Sequence, residues 1–372
     1  MKRVFAYGGR AILRDIPEPT LRPNHVLVQT AFSAISSGTE GYIVRGTGDP
    51  TFVNHEYPDP NEPGVQYRDP AIRYAGPRPL TQNDGDYASI GYSNAGRVIA
   101  VSPEVTDLRP GDRVACSGSQ CAVHAEVVSV PRNLMAKVPE NVGLDQASFV
   151  TLGAISMEAL RRTQTFFGEV VVVYGLGLLG LLCTQMAKYA GVRVVGLDID
   201  ARRLEQATRM GADLVLDPSK EDPVEAVRGF TRGFGADGVI LGIVDKSSEP
   251  LNLSFEMARH RGTVVGLGLF GMDIGRSRMF DHDVHFVGSR AYGPGRYDPV
   301  YEEGNVDFPI GYVRWTENRN QQEFLRELST GVVKVEELAP IRVPIAEAPR
   351  AWEILKTPER PPTVLIDYGR GA

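Results

Sequence analysis

The sequence is poor in the two side chains that build most protein metal sites. It has three cysteines and six histidines among 372 residues. Cys116, Cys121 and Cys183 are an odd and widely spaced set, which excludes a disulfide framework. Cys116 and Cys121 are too isolated to build a four-cysteine zinc lobe, so we expect them to pack in the interior.

Long apolar runs and an excess of positive charge are also missing. No run of about 18 apolar residues occurs, and the N-terminal segment MKRVFAYGG has no signal-peptide core. The net charge is -6 at pH 7, which argues against nucleic acid or an anionic membrane as a partner because both need a basic surface. We therefore expect a cytoplasmic protein that acts on a small molecule.

The composition that is present is typical of a globular chain. Hydrophobic residues make up 42% and charged residues 23%. The length exceeds the usual limit of about 250–300 residues for one core, so we expect two domains. The stretch from Gly46 to Asp86, which includes His55, is rich in Pro, Gly, Asp and Asn. It is longer than an ordinary connection, and such loops are usually functional or poorly ordered.

The strongest local pattern is a glycine-rich turn between a strand and a helix. The segment EVVVVYGLGLLGLLCTQMAKYAGVRVVGLDID predicts a strand from Val170 to Tyr174, a helix that ends near Tyr189 and a second strand from Arg193 to Leu197. Strand, turn, helix and strand together are typical of a dinucleotide-binding unit.

Each glycine of that turn has a separate predicted role. Gly175 permits the tight turn, Gly177 lets the backbone approach a pyrophosphate, and Gly180 lets the helix pack on the strand. The start of the helix, including Leu178 and Leu179, would face the phosphates. The turn therefore predicts a bound dinucleotide.

The residues after the second strand predict which dinucleotide binds. Asp198 is placed to accept hydrogen bonds from an adenosine ribose and would repel a 2′-phosphate, and Asp200 adds to the negative field. Arg202 and Arg203 follow closely and either begin a solvated helix face or stack on adenine, so Arg203 is included among the cofactor-binding residues. NAD is favoured over NADP.

Strand and helix segments alternate through the rest of the central region, as in a doubly wound parallel sheet. The predicted strands are ADLVLD (Ala212 to Asp217), ADGVILGIV (Ala236 to Val244), GTVVGLGL (Gly262 to Leu269) and VHFVGSR (Val284 to Arg290). The segment from Ser247 to His260 predicts a helix. GTVVGLGL could pair across a dimer or lie inside the sheet. Before Val150 the pattern changes to short strands with turn signals, which is typical of a partly open β-barrel.

This layout resembles the medium-chain dehydrogenase/reductase superfamily over nearly the whole chain. The matching segments are SGTE (Ser37 to Glu40), GYSNAGRVIAV, LRPGDRVAC, HAEVVSVPRNLMAKVP, YGLGLLGLLCTQMAKYAGVRVVGLD and RRLEQATRMGADLVLD. The resemblance implies an α/β fold, with a Rossmann NAD-binding domain over residues 151–292 and a GroES-like, partly open β-barrel catalytic domain over residues 1–150 and 293–372. It also implies an oxidoreductase that forms a homodimer or homotetramer.

The zinc alcohol dehydrogenases of this superfamily hold their catalytic metal with two cysteines and a histidine, and here those positions differ. Ser37 stands at the first cysteine, Tyr92 at the histidine and Leu152 at the second cysteine, while Ser93 replaces a neighbouring glutamate. Zinc is bound by thiolate, imidazole or carboxylate, so the replacements predict no metal. The segment DHDVHF (Asp281 to Phe286) is a weak alternative, because successive side chains of a strand point to opposite faces.

Two segments resemble the zinc-free branch that contains sugar- and polyketide-cluster dehydrogenases and the bacteriochlorophyllide hydroxyethyl dehydrogenase. They are AISSGTE and YGPGRYDPVYEEGNVDFPIGYVRWTENRN (Tyr292 to Asn320). The second segment and the residues just before it carry guanidinium and aromatic groups that suit a hydroxyl-rich or acidic substrate, namely Arg290, Tyr292, Arg296, Tyr297, Arg314 and Trp315. The predicted substrate-binding residues are Ser37, Arg290, Tyr292, Arg296 and Trp315. The alternative is that these residues pack between domains or subunits.

Without a Lewis acid, hydrogen-bonding side chains must take the substrate's hydroxyl proton or polarise its carbonyl. The resemblance implies four catalytic candidates. Thr39 matches a hydroxyl that begins a proton relay, and Tyr92 could donate to a substrate oxygen, especially if its pKa were lowered. Glu40 could orient Tyr92 or hold a substrate hydroxyl. His124 could act as acid or base near neutral pH, although an isolated histidine beside a strand is more often structural.

The sequence therefore predicts a zinc-independent, NAD-dependent oxidoreductase. It would transfer hydride between the nicotinamide and a secondary alcohol or ketone of a polar, sugar- or cyclitol-like substrate. Three alternatives remain open: an enone or quinone reductase, which usually uses NADPH; an epimerase or isomerase that oxidises its substrate transiently with tightly bound NAD; and a non-catalytic nucleotide-binding protein.

Overall fold

The computed structural model describes residues 1–45, 56–58, 66–68 and 87–371. The chain divides into two compact units. Unit 1 comprises Met1–Thr151, Pro294–Ser329 and Val335–Ala372, and unit 2 comprises Leu152–Gly293 and Thr330–Lys334. The loop predicted from Gly46 to Asp86, with His55, lies outside the described residues except for the backbone of two short strands.

Unit 1 is a largely antiparallel β-structure. Its strands are β1 (Lys2–Tyr7), β2 (Arg10–Asp15), β3 (His25–Ala34), β4 (Glu56–Pro58), β5 (Gln66–Arg68), β6 (Ala88–Ser89), β7 (Ser93–Val101), β8 (Arg113–Ser117), β9 (Val127–Pro131), β10 (Met135–Lys137), β17 (Arg342–Pro344) and β18 (Leu365–Asp367). The largest sheet has the order β10-β8-β7-β3-β18-β17, with β9 also paired to β3. A second sheet has the order β2-β1-β6, and β4 pairs with β5.

Short helices complete unit 1. They are α1 (Thr39–Val44), α2 (Leu144–Ala147), α9 (Pro299–Glu302), α10 (Glu317–Ser329) and α11 (Pro349–Lys356). The apolar face of α11 packs Trp352 into a core with Val4, Ile35 and Ile366. Because β18 pairs with β3, the end of the chain closes the sheet that begins near its start.

Unit 2 is a six-stranded parallel sheet with helices. Its strands are β11 (Val170–Tyr174), β12 (Arg193–Leu197), β13 (Leu214–Leu216), β14 (Ala236–Leu241), β15 (Ala258–Gly266) and β16 (His285–Gly288). The helices are α3 (Val150–Thr163, its first residues in unit 1), α4 (Leu178–Tyr189), α5 (Ala201–Arg209), α6 (Pro223–Phe230), α7 (Glu249–Met257) and α8 (Arg276–Phe280). The sheet order β13-β12-β11-β14-β15-β16 is that of the doubly wound dinucleotide-binding fold. The predicted fold class is confirmed.

The apolar run of β11 explains its central place. All five of its residues are buried, and a parallel strand covered on both faces needs such a continuous run. β15 differs from the prediction in two ways. It starts at Ala258, inside the segment predicted as helix, and it pairs with both β14 and β16. Pairing of β15 across a dimer is therefore wrong, because both of its edges are occupied.

No helix within the described part of the chain is long and apolar enough to cross a membrane.

Candidate active site and dinucleotide site

A polar cluster in unit 1 brings together the four predicted catalytic residues. Thr39 and Glu40 open helix α1, just after β3 ends. Tyr92 immediately precedes β7, and His124 lies in the turn before β9. Residues that are distant in sequence thus converge at one end of the largest sheet.

Glu40 and His124 form a buried pair. Glu40 Oε2 and His124 Nε2 are 2.8 Å apart, and the two residues are 1% and 0% exposed. The other carboxylate oxygen, Oε1, accepts the backbone N–H of Ser36 at 2.8 Å. Both oxygens of Glu40 are therefore bound within the protein, and the carboxylate is fixed at the start of α1.

The second ring nitrogen of His124 extends the hydrogen-bond network to two further side chains. Nδ1 lies 2.7 Å from Ser33 Oγ, which lies 3.0 Å from the hydroxyl of Tyr368. The ring also meets Trp352 edge-on at 5.5 Å between centroids. With Glu40 ionised, Nε2 carries the proton and Nδ1 accepts from Ser33. Both ring nitrogens of His124 are hydrogen-bonded, and the ring is fully buried. His124 therefore influences the site through its hydrogen bond to Glu40.

Tyr92 forms the partly exposed end of the cluster. Its hydroxyl hydrogen-bonds with the side chains of Ser36 and Thr39. Burial raises the pKa of Tyr92, and the nearby charge of Glu40 raises it further. This is opposite to the lowered pKa considered from the sequence. The side chain remains a neutral phenol at physiological pH, which makes it a hydrogen-bond donor.

The backbone of Tyr92 is held on both sides. Its carbonyl accepts from the backbone N–H of Gly118 at 3.1 Å and from Thr151 Oγ1 at 2.7 Å. The preceding Gly91 has φ +94°, and a Cβ there would lie 2.5 Å from the backbone nitrogen of His124. Only glycine fits this position, which brings Tyr92 and His124 side by side.

The residues at the former zinc positions do not fit that metal. Ser37 donates its hydroxyl to the carbonyl of Pro362 at 2.8 Å, and Ser93 donates to the carbonyl of Ser148 at 2.7 Å. Leu152 lies in unit 2, fully buried. Two hydroxyls, a phenol and an aliphatic side chain are not the thiolate and imidazole set that zinc takes.

Other potential metal ligands do not assemble either. Within the described ranges, which include DHDVHF, no group of three or more His, Cys, Asp or Glu is placed to hold an ion. Burial raises the pKa of all three cysteine thiols, so they stay neutral and serve as packing groups.

The predicted substrate-binding residues fall in both units. Ser37, Arg296 and Trp315 lie in unit 1, whereas Arg290 and Tyr292 lie in unit 2. Arg290 is exposed and Tyr292 is buried. The guanidinium of Arg314 stacks on Trp315 at 3.9 Å from the ring centroid.

The guanidinium of Arg296 contacts other side chains of the protein. Its side chain is 4% exposed, with Nη1 2.5 Å from Glu302 Oε1 and Nη2 2.7 Å from Ser119 Oγ. A guanidinium so placed supports its own chain segment and does not reach toward a ligand.

In unit 2, the glycines of the glycine-rich turn differ in the space around them. Gly175 has φ +103°, and a Cβ on Gly180 would lie 2.0 Å from the carbonyl oxygen of Gly175. Gly177 differs, because its φ is -69° and a Cβ there would meet no atom within 4 Å. Helix α4 starts at this point without a side-chain cap. The open space and the uncapped N–H groups of Leu178 and Leu179 fit a pyrophosphate.

Asp198 sits at the end of β12 with its carboxylate already oriented. Oδ2 accepts the backbone N–H of Leu176 at 2.8 Å, and Oδ1 accepts that of Asp200 at 3.0 Å. Arg203 Nη1 lies 3.3 Å from Asp198, and Arg202 pairs with Asp200 at 2.9 Å. Each of the two arginines is therefore paired with a carboxylate at the end of β12.

Three members of the network in unit 1 could not be found from the sequence. Ser33 and Ser36 look like ordinary strand-end residues. Tyr368 is separated from Ser33 by 335 positions, and only the pairing of β18 with β3 brings them together. No motif in the sequence signals that pairing.

Comparison with known proteins gives relatives in sequence and in fold. The profile of the zinc-binding dehydrogenase family matches residues 179–304. An L-threonine 3-dehydrogenase of Symbiobacterium thermophilum is 29% identical over 299 residues, which cover 72% of this chain and 75% of that protein. A D-guloside 3-dehydrogenase of Escherichia coli is 26% identical over 362 residues, 95% of each chain. The structure of galactitol-1-phosphate dehydrogenase from Escherichia coli matches with a TM-score of 0.76 at 17% identity, over 99% of this chain and 100% of that one.

Proposed function

We propose that the chain is a member of the medium-chain dehydrogenase/reductase superfamily and that it is an NAD-dependent, zinc-independent dehydrogenase of a polyhydroxylated substrate. Two relatives are named for dehydrogenation at position 3 of a polar molecule, which supports a secondary alcohol as the reacting group. The polar cluster of unit 1 suits such a substrate, because hydroxyl groups need donors and acceptors.

The position of Tyr92 carries this proposal. The phenol stands at a former metal-ligand position and hydrogen-bonds with Ser36 and Thr39. A neutral phenol can donate to a carbonyl oxygen and accept from an alcohol, the two tasks that a Lewis acid otherwise assists.

NAD, when bound, takes a hydride from the substrate carbon or returns it. During oxidation, the phenol oxygen of Tyr92 takes the hydroxyl proton of the substrate as its own proton passes to the hydroxyl oxygen of Thr39, and the hydroxyl proton of Thr39 passes to water. Thr39 is partly exposed and exchanges the proton with water. During reduction the same groups move the proton in the opposite direction.

Glu40 and His124 set the conditions for that transfer. The charge of Glu40 raises the pKa of Tyr92 and so keeps the phenol protonated between turnovers. His124 holds the carboxylate in place from behind, and Ser33 holds His124. In this proposal Tyr92 is the catalytic residue, while Glu40 and His124 are positioning residues.

The residues of unit 2 supply the cofactor preference. The open space at Gly177 and the start of α4 would hold the pyrophosphate, and Asp198 would accept from the ribose hydroxyls. A 2′-phosphate would meet the carboxylates of Asp198 and Asp200. NAD is therefore the proposed cofactor.

Removal of one hydroxyl group tests the proposal. In Tyr92→Phe, the kcat for alcohol oxidation should fall about 100-fold or more, because the proton loses its first acceptor. The Kd for NAD, measured by fluorescence titration, should not change. Tyr7→Phe, on a partly exposed tyrosine of β1, serves as the control and should keep its kcat. A Tyr92→Phe enzyme with wild-type kcat would remove Tyr92 from the mechanism.

A further inference from the structure

Tyr297 has a backbone conformation that bulky residues avoid. Its φ is +70°, in the left-handed region that glycine adopts freely and aromatic residues rarely do. Such strain persists only where the surroundings over-determine it, and it is concentrated at functional sites.

A buried ion pair holds this conformation. Glu302 Oε1 accepts the backbone N–H of Tyr297 at 2.8 Å and pairs with Arg296 Nη1 at 2.5 Å. The guanidinium of Arg296 covers the Tyr297 ring at 4.0 Å from its centroid. Arg296 and Glu302 are each only 4% exposed in their side chains. The pair therefore fixes both the backbone and the ring of Tyr297.

The same ion pair attaches the segment beside Tyr92. Arg296 Nη2 donates to Ser119 Oγ at 2.7 Å, and the adjacent Gly118 donates its N–H to the carbonyl of Tyr92 at 3.1 Å. Both phenols, Tyr92 and Tyr297, are partly exposed. Arg296 therefore connects the ring of Tyr297 with the segment that contacts the backbone of Tyr92.

We propose that Tyr297 binds a hydroxyl group of the substrate next to the alcohol that Tyr92 serves. The proposal rests on the proposed function and adds its substrate class, a compound with neighbouring hydroxyl groups. A phenol can both donate to and accept from a hydroxyl. Arg296 and Glu302 are then positioning residues that maintain the strained backbone of Tyr297.

Tyr297→Phe tests the hydroxyl contact with two probes, methyl α-D-glucopyranoside and cyclohexanol. Both are secondary alcohols, but only the first has neighbouring hydroxyl groups. We expect the KM for the glucoside to rise about 5–10-fold, as for loss of a neutral hydrogen bond, with kcat nearly unchanged and no effect on cyclohexanol. Tyr312→Phe, on a tyrosine of the same segment that is 92% exposed, should change neither the KM for the glucoside nor that for cyclohexanol.

The results of this experiment distinguish failure of this inference from failure of the proposed function. If the wild type oxidises neither probe with NAD, the proposed function fails and this inference with it. If the wild type oxidises the glucoside and Tyr297→Phe leaves both KM values unchanged, only the assignment of Tyr297 fails.

Glu302→Gln tests the positioning role. It weakens the pair with Arg296 while keeping its shape, and should raise the KM for the glucoside as Tyr297→Phe does. The double variant should be no worse than Tyr297→Phe alone, because both changes act on one contact. Additive effects would contradict a shared role.

Tyr297→Gly distinguishes functional strain from packing. Glycine accepts a φ of +70° without strain, so this variant should unfold at or above the temperature at which Tyr297→Ala unfolds and should lose the preference for the glucoside. A ring held only for packing predicts that the preference for the glucoside survives in Tyr297→Gly and in Tyr297→Phe.

Discussion

Glu317, the first residue of α10, has no hydrogen-bond partner for either carboxylate oxygen among the described residues, and it is fully buried. Gln321 lies one turn further along, also buried and without a side-chain partner in the same part of the chain. Burial raises the pKa of Glu317, and the charge of Glu302 raises it further, while Arg296 opposes the rise. The folded protein therefore favours the protonated form of Glu317.

This burial predicts a pH-dependent stability. A raised folded-state pKa means that the stabilising proton is fully bound below the unfolded pKa and that its contribution is lost as pH rises through the folded pKa. We expect Glu317→Gln to gain stability over wild type between about pH 5 and about pH 8, reaching at least about 1 kcal/mol. Urea unfolding of both proteins at these two pH values measures the difference in their free energy of unfolding.

A matched surface change provides the control for Glu317. Glu353, on α11, is exposed and pairs with Lys356, so Glu353→Gln should show no such pH dependence. A Glu317→Gln protein whose difference from wild type does not grow with pH would show that the native carboxyl is already ionised.

Single residues were predictable where a motif marks them. Thr39, Glu40 and Tyr92 lie in segments that the superfamily resemblance aligns, and the structure places them together. The partners of His124 were not predictable, because Ser33 and Tyr368 come from distant strands. The direction of the Tyr92 pKa shift was also out of reach, since it depends on burial and on the distance to Glu40.

At the scale of the elements, substitutions in the turn between β11 and α4 distinguish an effect on folding from an effect on NAD binding. Gly177 has an ordinary φ and open space around its Cβ direction, whereas Gly180 packs against the carbonyl of Gly175. We expect Gly177→Ala to keep the wild-type Tm but to weaken NAD binding about 10-fold or more, because the methyl group occupies the place of the pyrophosphate. Thermal unfolding and titration with NAD measure both effects.

Gly180→Ala is the matched comparison in the same turn. Its Cβ would lie 2.0 Å from a main-chain oxygen, so the variant should lose about 1–3 kcal/mol of stability through overpacking. If Gly177→Ala binds NAD as tightly as wild type, the start of α4 does not hold the pyrophosphate.

The elements of unit 2 were largely predictable because hydrophobic periodicity marks them. The bounds of β11 and β12 agree with the predicted ones, since each strand is a buried run bordered by polar residues or glycine. The end of α7 was missed. Ala258 and the residues after it continue a helical pattern, yet pairing with β14 draws them into β15, so tertiary contacts override local preference.

At the scale of the whole molecule, composition and pattern were enough for the fold class. Alternating strands and helices predicted the doubly wound sheet, and short strands with turns predicted the β-rich unit. The return of the C-terminal segment to the first unit was implied by the superfamily resemblance, and its strand β18 lies beside β3. The link between the segments of Tyr297 and Tyr92 was not predictable, because it is the hydrogen bond from Arg296 to Ser119 and not a periodic pattern.

The scarcity of cysteine and histidine leads to the central claim for the molecule, dehydrogenation with NAD and without zinc. The positions that the resemblance aligns with zinc ligands hold Ser37, Tyr92 and Leu152, and His124 is bound to Glu40. In the proposed function, chemistry that a metal would assist falls to hydrogen-bonding groups.

The most direct test is the rate of NADH formation from methyl α-D-glucopyranoside and related polyols, before and after exhaustive chelation, with zinc measured in the same sample. We predict turnover with NAD that chelation leaves unchanged, in protein with far less than one zinc per chain. Activity that is lost on chelation and returns with one zinc per chain would contradict the account.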